Sequence, residues 1–281
     1  MEKLDRLGWA DGICFTAYGA RVGIRVSRPE AMDLLPALLP PLWKPAASPV
    51  VDALYSLRVG QNHLGIRQFH MVYDGPGQVA RTLDLREALD TLESTLHMGV
   101  AVFARRYLFV HAGVVGWKGR AVLLPGRSMT GKSSLVAALV RAGATYYSDE
   151  FAVMDHRGRV HPYPKPISVR REGGRPCKRR AEEEGGKAGT RPLPVGLVAM
   201  TEFREGATWR PRKLTPGEAM LALLDNTVLA QYKPDVALPI LERTAVGAAA
   251  IRSRRGEADE LAPVLLQALE KCTGAEAGPA R

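Results

Sequence analysis

The chain has 281 residues, 46% of them hydrophobic and 24% charged. That is ordinary for a soluble globular protein and allows one large domain or two modest ones. Its net charge of +10, from 39 Lys+Arg against 29 Asp+Glu, suits nucleic acid, an acidic partner or nucleotide phosphates. No apolar stretch is long enough to span a bilayer, no secretory segment follows Met1, and Cys14, Cys177 and Cys272 have neither metal-binding nor disulfide-framework spacing. A cytoplasmic protein with no membrane partner is expected.

In chain order, Gly12–Tyr18 and Arg21–Val26 read as a strand pair around a tight glycine turn. Pro29–Leu39 reads as a short helix stopped by Pro40-Pro41. Val51–Val59 and Leu64–Tyr73 alternate as strands, and Leu85–Val102 carries leucines at helical spacing. Residues 1–104 hold no catalytic cluster and are expected to form a small N-terminal α+β region.

A second domain is expected over residues 105–271, followed by a frayed tail, 272–281. Leu108–Gly116 and Ala121–Pro125 read as a strand hairpin, Ser133–Ala142 as a helix stopped by Gly143, and Thr145–Ser148 as a strand ending at Asp149-Glu150. Phe151–Met154 and Arg159–Pro162 read as a hairpin. Arg171–Arg191, rich in Gly, Lys, Arg and Glu, reads as a mobile loop. A buried strand over Val195–Phe203 follows, then a helix from a Thr215-Pro-Gly-Glu218 capping box through Leu224, a strand over Gly247–Arg252 and a helix over Glu257–Lys271. No internal repeat is visible.

Between the hairpin and the Ser133 helix, Gly126-Arg127-Ser128-Met129-Thr130-Gly131-Lys132-Ser133 satisfies G-x-x-x-x-G-K-[ST]. Backbone N–H groups of such a loop line a concavity that fits phosphate oxygens, and the following helix adds its positive end. Lys132 can reach the β- and γ-phosphates, and the Ser133 hydroxyl can ligate Mg²⁺. Asp149-Glu150 follows 17 residues after Lys132, at a strand end. Two carboxylates beside a phosphate loop suit metal binding and proton acceptance. Both motifs are expected at one edge of the sheet. The basic run from Lys165 to Arg180 reads first as a solvated loop and second as a docking surface for an acidic or phosphorylated substrate.

The stretch from His111-Ala-Gly-Val-Val through Gly126–Ser134 to Tyr147-Ser-Asp-Glu150 resembles the catalytic domain of the HPr kinase/phosphorylase family, most clearly over 108–170. The 164–170 and 192–227 stretches are similar to its divergent branch, which includes kinases of peptide-modification clusters such as those making lasso peptides. The resemblance implies an α/β fold: a mixed β-sheet P-loop kinase core like that of phosphoenolpyruvate carboxykinase. It implies an ATP- and Mg²⁺-dependent kinase acting on a hydroxyl, with Asp149 as base, Lys132 on the phosphates and His111 near the transferred group. The nucleotide would be held over Gly126–Ser134, the metal by Ser133 and Glu150, and substrate or phosphate near Arg127 and Arg170. The loop interior Arg127–Thr130, Ser134 and Glu150 depart from the family pattern and point away from HPr itself as acceptor. A Ser/Thr-bearing protein or peptide is the expected partner. A regulatory nucleotide-binding module, a small-molecule kinase and a homo-oligomer stay open. A nucleic-acid-associated ATPase rests on charge alone, without the interleaved aromatics that stack single strands.

Overall fold

The computed structural model describes residues 2–63, 66–126, 130–169, 177–228 and 230–274. The chain forms two compact units, Met1–Arg106 and Tyr107–Arg281.

In the first unit a short helix α1 (Glu2–Asp5) precedes β1 (Asp11–Ala17), β2 (Ala20–Val26), β3 (Lys44–Pro45), β4 (Ala53–Arg58), β5 (Asn62–His63), β6 (Ile66–Arg67), β7 (His70–Asp74) and β8 (Gly77–Thr82). Pro29–Leu38 is a 3₁₀ helix. The main sheet runs β3-β1-β2-β4-β7-β8, with β2 and β4 parallel. Helix α2 (Leu85–Phe103), capped by Asp84, buries Ala88, Leu92, Leu96 and Val100, the i, i+4 stripe expected of a helix laid on a sheet. Gly99 lets α2 approach the sheet: a Cβ there would sit 1.8 Å from the Tyr55 hydroxyl. The expected strand over 64–73 is broken into β6 and β7, and Leu64 itself lies outside the described residues.

The second unit begins with a hairpin, β9 (Leu108–Trp117) and β10 (Arg120–Pro125). Its two-residue turn, Lys118-Gly119, has both φ angles positive (46° and 81°), as the twist of a tight hairpin requires. Helix α3 (Lys132–Arg141) follows. Gly143, at φ +98°, ends it: its N–H bonds Val140 O and that of Ala144 bonds Leu139 O, the paired closure of a Schellman motif. Strands β11 (Thr145–Ser148), β12 (Phe151–Met154), β13 (Arg159–His161), β14 (Ile167–Val169) and β15 (Cys177–Arg179) come next. Then come the long β16 (Leu193–Phe203), β17 (Arg212–Lys213), α4 (Pro216–Leu224), α5 (Pro234–Gly247), β18 (Ala249–Arg255) and α6 (Ala258–Gly274).

The large sheet runs β10-β9-β12-β13-β16-β18-β17, with β11 on β9 and a further pairing of β10 with β16. Strands β10, β16 and β18 are mutually parallel and the other pairings are antiparallel, so the unit is mixed α/β. The pleat sorts neighbouring residues onto two cores. Val115, Val122, Leu124, Leu197 and Ala199 face α3 and α6. Val114, Ala121, Leu123 and Val198 face α4 and α5. Helices thus cover both faces of the sheet.

One expectation needs correction. The described part of 171–191 is structured: β15 pairs with β14, Ala181–Glu184 forms a 3₁₀ turn, and buried Glu184 takes Arg141 at 2.6 Å and Arg179 at 3.4 Å. Paired charges let this polar stretch fold without a large apolar side. The phosphate-loop and carboxylate motifs flank the same end of β9, where β10 ends opposite Ala112 and β11 ends opposite Val114. They lie on opposite sides of β9, because β11 and β12 both pair with it and leave Asp149-Glu150 as a kink between them.

Candidate functional site

The strand at the centre of the site is β9. On one side its His111 carbonyl accepts the Gly126 N–H at 3.2 Å, where β10 gives way to the phosphate-loop motif. On the other, Ala112 donates its N–H to Glu150 O at 3.1 Å. The His111 N–H donates to Asn226 O at 2.7 Å. Two adjacent residues of one strand therefore hold the start of the loop and the acidic kink.

Buried Ser148, which the sequence reading passed over, shapes that kink. Its Oγ accepts the N–H groups of Glu150 (3.1 Å) and Phe151 (2.9 Å), the local side-chain bonding that lets serine turn a chain. Asp149 is buried; its Oδ2 accepts the Ser168 N–H at 3.0 Å and its Oδ1 faces the Tyr146 hydroxyl at 3.1 Å. That hydroxyl has one proton and a closer acceptor, Lys165 O at 2.6 Å. Oδ1 is therefore the carboxylate oxygen with the weaker internal claim. Burial, reinforced by the Asp149 charge, pushes the Tyr146 phenol far up, so it stays neutral. Glu150 Oε2 takes the Lys165 ammonium at 2.7 Å. Lys165, read from sequence only as part of a basic run, is thus a second cation of the site.

Lys132 opens α3 and curls back, its Nζ donating to Gly126 O at 2.5 Å. Burial lowers its pKa, and the charge of Asp149 across β9 partly restores it. The His111 ring lies on Phe151 with centroids 4.7 Å apart. Burial and then the Lys132 charge push its pKa down, so the imidazole is neutral at pH 7. Gly131 sits at φ +81°, a left-handed conformation suited to glycine. Ser133 is half-buried and Ser134 exposed on the first turn of α3. Thr130 is half-buried. Arg127, Ser128, Met129 and Arg170 lie outside the described residues.

No protein-family model matches the chain, and no curated protein matches it in sequence. Its chemistry is therefore read from its own residues. The structure brings Gly126, Lys132, His111, Asp149 and Glu150 together around β9, and adds Ser148, Tyr146 and Lys165. Buried Arg255, from the end of β18, also reaches the loop, donating from Nη2 to Gly131 O at 2.8 Å. Neither Lys165 nor Arg255 stands in a motif; only the fold brings them in. No helix among the described residues is long and apolar enough to cross a membrane.

Proposed function

We propose that this chain is an ATP- and Mg²⁺-dependent phosphotransferase of the HPr-kinase-like type, acting on a hydroxyl of a Ser/Thr-bearing protein or peptide. The observation that carries this reading is the meeting, across β9, of the phosphate-loop lysine and the buried Asp149. Phosphoryl transfer needs little covalent help from a protein: it needs phosphate charge neutralised, reactants aligned and a proton accepted. The N-terminus of α3 and Lys132 supply the first. Asp149 serves as the base: the acceptor oxygen bonds to the γ-phosphorus, its proton passes to Oδ1, and ADP leaves. Neutral His111 beside Lys132 adds no competing positive charge and can donate a hydrogen bond to the transferred group.

Ser133 and the two carboxylates are hard oxygen donors that fit Mg²⁺, which in such sites is held by one or two carboxylates together with substrate phosphates. Among the described residues no three His, Cys, Asp or Glu side chains converge on one point, so the nucleotide must complete the coordination. Bound Mg²⁺ would neutralise phosphate charge, and it would share the Glu150 carboxylate with Lys165, which contacts Oε2.

One observation favours a second reading, a nucleotide-binding regulator without transfer: Glu150 and both oxygens of Asp149 already have partners within the protein. Purified protein with γ-labelled ATP, Mg²⁺ and a Ser/Thr peptide library separates the two. The kinase reading expects labelled peptide, none with Lys132→Ala, and a loss of about 10²–10⁴-fold with Asp149→Asn while nucleotide still binds. Nucleotide binding without transfer to any hydroxyl supports the regulator. Absence of nucleotide binding sinks both.

A further inference from the structure

Arg255 is the last residue of β18 and is 2% exposed. Its Nη2 donates to Gly131 O and its Nη1 to Gly256 O, each at 2.8 Å, and its guanidinium carbon lies 5.2 Å from the Phe203 ring centroid. Its Nε is buried with no hydrogen-bond partner, and the charge of Glu257, two residues on, reaches it through space without an ion-pair contact. Arg25 makes the contrast: it too has an unpartnered buried nitrogen, but Asp5 neutralises it at 2.6 Å. A buried guanidinium without a contact ion pair is costly, so a fold that keeps one gains if a ligand brings further negative charge against it.

The surroundings indicate which ligand. Strands β10, β16 and β18 run parallel, and ligands of such sheets bind beyond the strands' carboxyl ends. The phosphate-loop motif leaves β10 at that end, and Arg255 stands at the same end of β18. The Gly131 carbonyl accepts from both Leu135 N–H (3.1 Å) and Arg255. A trans peptide is planar, so fixing that carbonyl turns the Lys132 N–H the opposite way, out of the start of α3. Fit is close: a Cβ on Gly131 would meet Nη2 at 2.5 Å.

We propose that Arg255 is a positioning residue of the phosphate site, which orients the Gly131–Lys132 peptide and supplies a fixed positive charge whose counter-charge is the polyphosphate of a bound nucleotide. This rests on the nucleotide-binding reading above. Binding then links the β18–α6 junction to the loop.

The test titrates the full chain, wild type and variants, with Mg²⁺-ATP and with inorganic tripolyphosphate, alongside thermal melts. Arg255→Met should weaken both ligands by about 10- to 100-fold, and Arg255→Lys, which keeps the charge, should recover much of the loss. A merely structural residue would lower the melting temperature in both variants without separating them in affinity. Should Arg255→Met fail to fold, hydrogen exchange on wild type decides: added nucleotide should protect the backbone at 254–257 together with 130–135. Undiminished affinity in a folded Arg255→Met, or protection of the loop without the junction, overturns the role of Arg255 alone. A wild type that binds neither ligand overturns the nucleotide reading, and this inference with it.

Discussion

At the scale of single residues, His111 links the site to pH. Its pKa in the folded chain lies below the unfolded value, near 6.5, because burial and Lys132 disfavour the imidazolium. The neutral ring therefore adds stability fully above about pH 6.5, and that stability is lost as pH falls toward the folded pKa. Denaturant unfolding at pH 7.5 and 5.5 should show wild type losing more stability on acidification than His111→Gln. Equal losses would remove His111 from this account. Asp155 acts lower on the scale. Hydrogen bonds from His161, Arg159 and Arg157 overcome its burial and hold its pKa to about 2. Its contribution is complete above about pH 4 and disappears as pH falls through 2. An Asp155→Asn variant should show a flatter stability curve between pH 4 and 2 than wild type.

At the scale of elements, the kink between β11 and β12 depends on Ser148. Removing its Oγ leaves the Glu150 and Phe151 N–H groups without their acceptor. Ser148→Ala should cost about 1–3 kcal/mol in denaturant unfolding and lower phosphate transfer, since the acids lose their fixed place. An unchanged stability and rate would show that the kink holds itself. The capping box of α4 is fully formed, with Thr215 and Glu218 bonded reciprocally, and Thr215→Ala should cost about 0.5–2 kcal/mol.

Such local signals explain what could be read in advance. The phosphate-loop motif, the β9–β10 hairpin, Gly143 and the capping box are each written in a few consecutive residues. Strand β8 was missed because it is a mostly exposed polar strand at the sheet edge. Helix α5 was missed because Pro234 and Pro239 mask a buried stripe of Ala237, Ile240, Leu241 and Thr244. Lys165 and Arg255 carry no local mark: their roles arise from pairings across 15 and 124 residues that residue patterns do not encode, whereas Ser148 bonds only its own neighbours and a lone serine before two acids does not stand out.

At the scale of the whole molecule, the second unit has its own core. Every buried side chain in the two clusters flanking its sheet comes from Leu108 onward, and the groups around β9 all lie within 107–281. A fragment of residues 107–281 should therefore unfold cooperatively and bind Mg²⁺-ATP within about threefold of the full chain. A fragment that folds but no longer binds would place part of the site in residues 1–106.

The order of parts along the chain has a further consequence for synthesis. The loop, His111 and the acidic pair all lie within residues 108–150, whereas β18, with Arg255 at its end, is the last strand among the described residues. A ribosome moving toward the C-terminus releases the chemical groups first and their arginine brace some hundred residues later. A nascent chain stopped before Ala249 would carry the motif without its brace. On the proposed reading, firm nucleotide capture would then wait until β18 has been made and has joined the sheet.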